Sequence, residues 1–198
     1  EALYLARRAL SRFEWTGGFL TVMGETAPLD GVPNLALRAE RAPNGTGAEL
    51  LGYRSGIDEV LGLAKQAAVV LMLDEAEVPV ETTGALIYAG TVLPDHARNA
   101  EVVLPLANVA EEDGTFVNRD GRVQRYFQAK PTPGMARPAW WVLGELVAEL
   151  EGKGTSAPNS AEAAFATLAG AVEPFAGLSY GALGFIGRKV RAGAGVPA

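Results

Sequence analysis

Apolar residues recur at helical spacing at the start of the chain. Leu3, Leu5, Ala6, Ala9 and Leu10 form a stripe with Arg7, Arg8 and Arg12 mostly off it, which predicts an amphipathic helix. Residues 19–24 (FLTVMG) read as a buried strand. Between 28 and 56 the pattern is broken by Pro, Gly and Asn, with a helix expected near 34–41. Ser55 or Asp58 is placed to cap a further helix running to about Gln66. Three continuous apolar runs follow, at 68–74, 85–91 and 101–105. Such runs suit strands covered on both faces, as in parallel sheets. Residues 94–98, between the last two, leave room for one or two helical turns.

The pattern then changes. Thr115-Phe116-Val117 and residues 122–127 are short alternating runs separated by Asn118-Arg119-Asp120-Gly121. Asp-Gly between such runs marks a tight turn, because glycine accepts positive φ at no steric cost. A β-hairpin or a related irregular excursion is expected, with Asp113-Gly114 as a second turn just before it. Trp140, Trp141, Leu143, Leu146, Val147 and Leu150 predict another helix. Neighbouring positions cannot share one helix face, so two readings stay open: both Trp residues belong to the core, or one does and the other meets a neighbouring domain or subunit. Residues 152–159 are linker-like, and an Ala-rich helix is expected over 160–170. The Gly-rich, apolar stretch from 175 onward, with Arg188, Lys189 and Arg191 near its end, is expected to be extended, surface-wrapping or partner-bound.

These elements predict an α/β fold: a doubly wound, mostly parallel sheet flanked by helices, with a β-hairpin excursion and an extended C-terminal tail. The organisation is an α/β domain over 1–151, a linker over 152–159, and a short helix with the Gly-rich tail over 160–198.

Composition narrows the function classes. A formal net charge of -6 opposes a nucleic-acid surface, which needs a basic patch. The absence of cysteine removes disulfides, thiolate-held iron–sulphur clusters and cysteine nucleophiles from these 198 residues, and the single histidine, His96, removes a histidine-rich metal site. No run of about 18 apolar residues is present to span a membrane. The first residues carry neither an initiator Met nor an apolar signal core, so an excised C-terminal portion of a longer chain is expected.

The candidates for chemistry are few. Val22-Met23-Gly24-Glu25 begins a loop after a strand but lacks the glycine fingerprint of a dinucleotide site. Asn44-Gly45-Thr46-Gly47 is a better polar glycine loop, offering backbone donors, and is read as a surface turn. His96 has the pKa range of a proton shuttle, but no second His or Cys supports it, so it is read as a turn or surface residue. Glu111, Glu112 and Asp113 place three carboxylates together, a start for a hard-cation site, and are read as a solvated turn because no matching ligand spacing follows. No residue is assigned a catalytic, cofactor-binding or metal-binding role.

One ordered set is more specific than any of its parts: Leu104-Pro105, Glu111, Gly114-Thr115, Asn118, Gly121-Arg122 and Gln124, continuing into Pro133-Gly134, Arg137-Pro138 and Trp140. In this order the residues resemble the molybdopterin oxidoreductases, and among them the large G-type iron–sulphur subunits of bacterial respiratory NADH:quinone oxidoreductases. The match is clearest over 93–150. Upstream, Asn44, Gly47, Leu51 and Gly52 are similar to a loosely spaced family segment, and residues 173–187 (EPFAGLSYGALGFIG) are similar to the short tail of the respiratory subunits. Asp120 stands where the family more often has Glu, and Glu101 where an Asp is common.

The resemblance implies a scaffold domain without redox chemistry of its own. Residues 113–124 would be a retained structural element, and the iron–sulphur clusters would lie in an N-terminal part preceding Glu1. It further implies contacts with other peripheral-arm subunits and with the N-terminal part of the same polypeptide, without nucleic acid or membrane insertion. The implied location is cytoplasmic, membrane-associated through the complex. Catalytic members of the family usually carry a β-barrel domain after this region, and the sequence stops before one could form. Two other readings stay open: a fragment of a catalytic molybdopterin enzyme such as a formate dehydrogenase, and an independent α/β module binding a nucleotide or small metabolite.

Overall fold

A computed structural model describes residues 1–19, 27–28, 30–32, 36–37, 43–74, 79–152 and 157–190. The helices are α1 (Ala2–Leu10), α2 (Gly45–Leu50), α3 (Ile57–Gln66), α4 (Ala139–Leu150), α5 (Ala161–Ala171) and the single turn α6 (Tyr180–Leu183). The strands are β1 (Gly18–Phe19), β2 (Ala27–Pro28), β3 (Ala36–Leu37), β4 (Arg54–Ser55), β5 (Val69–Leu73), β6 (Ala85–Gly90), β7 (Val102–Pro105), β8 (Gly114–Val117), β9 (Arg122–Tyr126) and β10 (Arg188–Lys189). Short 3-10 turns occupy Asp95–Ala97 and Glu173–Phe175. The architecture is the mixed α/β fold expected, with a parallel sheet and flanking helices.

The three apolar runs form one parallel sheet in the order β5-β6-β7, with Leu71 beside Ile87 and Tyr88 beside Val103. Leu71 and Leu73 pack towards the main core. Met72, Leu86 and Tyr88 face the other way and form a second cluster with Ala97 of the 3-10 turn. The expectation of cover on both faces fits the central strand, where Leu86, Tyr88 and Ala89 are buried. It is corrected for the edge strands: Val69, Val102 and Val103 are exposed. A three-residue turn is too short to roof the whole sheet, whereas a crossover helix would reach both edges.

The main core joins distant parts of the chain. Helix α1 packs against α4 and buries Leu5, Ala6 and Ala9 of the stripe read from sequence together with Tyr4, while Leu3 and Leu10 of that stripe are half-buried. Its polar side is tied down by Arg8, whose guanidinium donates to both carboxylate oxygens of Glu151 at 2.7 and 2.8 Å. Arg7 donates to Leu51 O at 2.7 Å, satisfying a carbonyl at the end of α2. Phe165 and Leu168 of α5, Phe175, and Tyr180 and Leu183 of α6 complete the same core with Val117 and Val123 of the β8–β9 hairpin. The stretch after α5 therefore folds back over the hairpin, and β10 pairs antiparallel with β9 through Arg188 and Val123. Residues 191–198 lie outside the described residues.

Several local expectations change. Of the strand expected over 19–24, Phe19 lies in β1, which pairs parallel with β4; residues 20–24 lie outside the described residues. A helix near 34–41 is not what Ala36 and Leu37 form: they pair antiparallel with β2. The rest of that segment is outside the described residues. Neither Ser55 nor Asp58 caps α3. Gly56 takes the cap position with φ 120, and Asp58 and Glu59 sit in the first turn, where the helix dipole favours negative charge. The Ala-rich helix starts one residue after Ser160, which caps it by accepting from Ala163 N at 3.1 Å. Among the described residues no helix is long and apolar enough to cross a membrane.

Candidate functional site

The ordered motif residues gather around the β8–β9 hairpin. Asn118 N donates to Arg122 O and Gly121 N donates to Asn118 O, both at 2.9 Å, closing a three-residue loop. Gly121 has φ 71, the left-handed conformation such a loop demands of its last residue. The Asn118 side chain fixes the turn from within, its Oδ1 accepting from Asp120 N at 3.0 Å and Arg122 N at 2.9 Å.

The three adjacent carboxylates diverge and do not form a solvated turn. Glu111 is buried. Its Oε2 accepts from Asn108 N at 3.0 Å, and its Oε1 meets Lys130 Nζ at 2.8 Å. Its backbone carbonyl accepts from Gln128 Nε2 and Thr132 Oγ1. The hydrogen bond from Lys130, helped by the Asn108 amide, holds the Glu111 carboxyl below its usual pKa. Glu112 turns the other way. Its Oε2 accepts from Ala139 N at 2.9 Å and its Oε1 from Tyr126 Oη at 3.3 Å. Pro138, at the cap position of α4, offers no side-chain acceptor, so Glu112 supplies the cap from another element. Burial pushes the Glu112 carboxyl up to about 7, against the two hydrogen bonds, with the Glu1 charge adding to the rise. Asp113 accepts from Gln128 N at 3.0 Å. The cause is backbone satisfaction: in a segment this irregular, each buried N–H needs an acceptor that strand or helix geometry does not provide.

Two groups from outside the hairpin complete the cluster: Glu1, which sequence reasoning missed, and Asn44, whose partner it missed. Glu1 Oε2 accepts from Thr115 N and Thr115 Oγ1, both at 3.1 Å, and Glu1 Oε1 accepts from Tyr180 Oη at 2.6 Å. Asn44 Oδ1 accepts from Val117 N at 2.8 Å. Asn44 adopts φ 65 to do so, and a Cβ on Gly47 would lie 2.2 Å from that oxygen. The Asn44–Gly47 stretch is therefore a clamp on the edge of β8 that leads into α2, rather than a surface turn. Its Asn-Gly composition signalled an unusual backbone, but nothing local signalled the partner. Burial raises the pKa values of Tyr126 and Tyr180, with the Glu112 and Glu1 charges respectively as the next cause. Both phenols stay protonated donors.

The remaining candidates do not join this cluster. His96 lies on the 3-10 turn beside the sheet, with its Nε2 buried and unpaired. Trp140 is half-buried against the main core with its indole Nε1 unpaired, while Trp141 is 39% exposed, the division expected of neighbouring helix positions. Val22 to Glu25 lie outside the described residues. No group of three or more His, Cys, Asp or Glu side chains converges on a common point among the described residues. The polar set of the hairpin thus binds the protein's own backbone. Beyond the hairpin, Leu106 and Arg137 form a parallel bridge, and Ala107 N donates to Arg137 O at 2.9 Å, joining the end of β7 to the start of α4.

Comparison with known proteins matches the same region. The family model described as Molybdopterin oxidoreductase matches residues 47–149. The protein YrhE of Bacillus subtilis is 50% identical over 54 residues, 27% of this chain and 6% of its own length. The F420-dependent formate dehydrogenase 2 subunit alpha of Methanococcus maripaludis is 35% identical over 116 residues, 58% of this chain and 17% of its own length. The G-type subunit of the NADH-quinone oxidoreductase of Pseudomonas putida is 40% identical over 96 residues, 43% of this chain and 11% of its own length. The chain spans less than a fifth of the length of each of these relatives.

Proposed function

Because the chain belongs to the molybdopterin oxidoreductase family, we propose that it is a non-catalytic scaffold domain of the large G-type iron–sulphur subunit of an NADH:quinone oxidoreductase. In this role it supports electron transfer from NADH to quinone without holding a cofactor itself, while iron–sulphur clusters are carried elsewhere in the full-length subunit. Its partners are the other peripheral-arm subunits, at the cytoplasmic face of the membrane.

The observation that carries this reading is the use made of the motif's polar groups. Glu111, Glu112, Asp113 and Asn118 accept from backbone N–H groups of the same chain, as do Glu1 and Asn44 from outside the motif. A cofactor site requires polar groups aimed at a ligand, and side chains already bound to their own backbone are poor candidates. These 198 residues contain no cysteine, and no group of three or more His, Asp or Glu side chains converges among the described residues.

A second reading has its own support, since a formate dehydrogenase subunit matches over 116 residues. Metal and pterin analysis of the purified full-length protein separates the two. The scaffold reading expects iron without molybdenum, tungsten or pterin, and co-purification with NADH dehydrogenase activity. Molybdenum or tungsten near one equivalent per chain, with pterin, would replace it with the formate dehydrogenase reading.

A further inference from the structure

We infer that the turn carrying Phe185 and Ile186, with the cations at its base, is a docking knob for a partner polypeptide that presents an apolar pocket rimmed by carboxylates. Phe185 is 94% exposed and Ile186 77% exposed, at the tip of a turn between Gly184 and Gly187. Both glycines have positive φ, 55 and 80. A Cβ on Gly187 would lie 2.2 Å from Val123 O, so the turn is pressed against β9 and held there. Phe127, itself half-exposed, stands beside Phe185 with ring centroids 6.4 Å apart, extending the apolar surface.

The surroundings say what would cover it. The chain as a whole is acidic, with a formal net charge of -6, yet the base of this turn is cationic. Arg122 Nη1 donates to Gly187 O at 3.1 Å and Arg188 Nε to Ala182 O at 2.9 Å. Arg125 stacks over Phe127 and Tyr180, and Lys189 follows on β10. None of these four is ion-paired among the described residues, where every salt bridge involves other cations. Neutral carbonyls orient the two guanidinium groups without cancelling their charge. An exposed aromatic anchor ringed by pre-oriented arginines is the composition of an interface hot spot. It calls for an apolar pocket with an acidic rim. A membrane is the poorer match, because stable surface binding needs a broad apolar face or a lipid anchor, and here one short turn contributes two side chains.

The test uses the full-length protein in its assembled state. Phe185 is replaced by the photo-reactive p-benzoylphenylalanine, and the cross-linked peptides are identified by mass spectrometry. The expected result is a cross-link to one peptide of a different polypeptide, with apolar residues flanked by Asp or Glu. Its yield should fall at least tenfold in an Arg188→Glu, Lys189→Glu background and at raised salt. Circular dichroism should stay as in the parent and the melting temperature should fall only slightly, since both cations are exposed and the one bond lost is the exposed one from Arg188 to Ala182 O. A cross-link within the same chain, to a second copy, or to anionic phospholipid alone would overturn the inference. So would no cross-link, or one whose yield ignores charge reversal.

Discussion

At the scale of single residues, the hairpin is governed by side chains that stand in for missing secondary structure. Glu112 is the clearest case. Its carboxyl sits near 7 in the fold against an ordinary 4.5, so the fold favours the protonated form. The stability this contributes is fully present below about 4.5 and is lost as pH rises through about 7. Glu112→Gln keeps an acceptor for Ala139 N without the charge. Unfolding followed from about pH 5 to pH 8 should show the parent losing on the order of 2 kcal/mol relative to this variant. Glu111 acts in the opposite sense: its depressed pKa favours the charged form, and its contribution is lost on acidification. Asn44 offers a second test. Asn44→Ala removes the acceptor for Val117 N and leaves a left-handed residue without its advantage, at a cost of about 2 kcal/mol, whereas Asn44→Asp should recover most of it. Chemical denaturation of the two variants reads the difference.

At the scale of elements, what was legible in sequence tracks the range of the signal. The α1 stripe, the three strands and the Asn118–Gly121 turn were readable because periodicity and turn chemistry act over a few residues. The Asn44–Val117 bond spans 73 residues, and the cap on α4 comes from Glu112, 27 positions earlier, so no window on the sequence contains both partners. The edge strands β5 and β7 misled for a related reason: an apolar run reports that cover is wanted, and its source lies elsewhere. The turn glycine should still obey its local rule. Gly121→Ala, at φ 71, should destabilise the hairpin by about 1 kcal/mol, with hydrogen exchange at Asn118 and Arg122 accelerating first. On α4 the two tryptophans should separate. Trp140→Ala is expected to cost about 3 kcal/mol, while Trp141→Ala, at 39% exposure, should leave stability within about 1 kcal/mol.

At the scale of the whole molecule, the described elements on either side of the 152–159 linker share one apolar core. Phe165 of α5 meets Phe175 edge-on at 6.5 Å and Tyr180 at 5.4 Å, and the same cluster holds Leu5 of α1. Phe175→Ala should therefore cost about 3–5 kcal/mol and loosen α1 as well as the tail, measured as lower protection of α1 amides. A local effect confined to residues after 160 would mean that the two ends unfold separately. The composition of residues 152–159 says nothing about what the following helix packs against.

The bond from Tyr180 to Glu1 spans 179 residues, and this has a consequence for how the protein is made. At about 5–20 residues per second, a ribosome needs roughly 10–40 s to travel from one to the other. Throughout that interval Tyr4, Leu5 and Ala6 have emerged while Phe165, Phe175 and Leu183, which share their core, have not. Until they do, that face of α1 lacks these partners. Soluble yield should therefore depend on translation speed and on chaperones that shield α1 until α5 and α6 arrive.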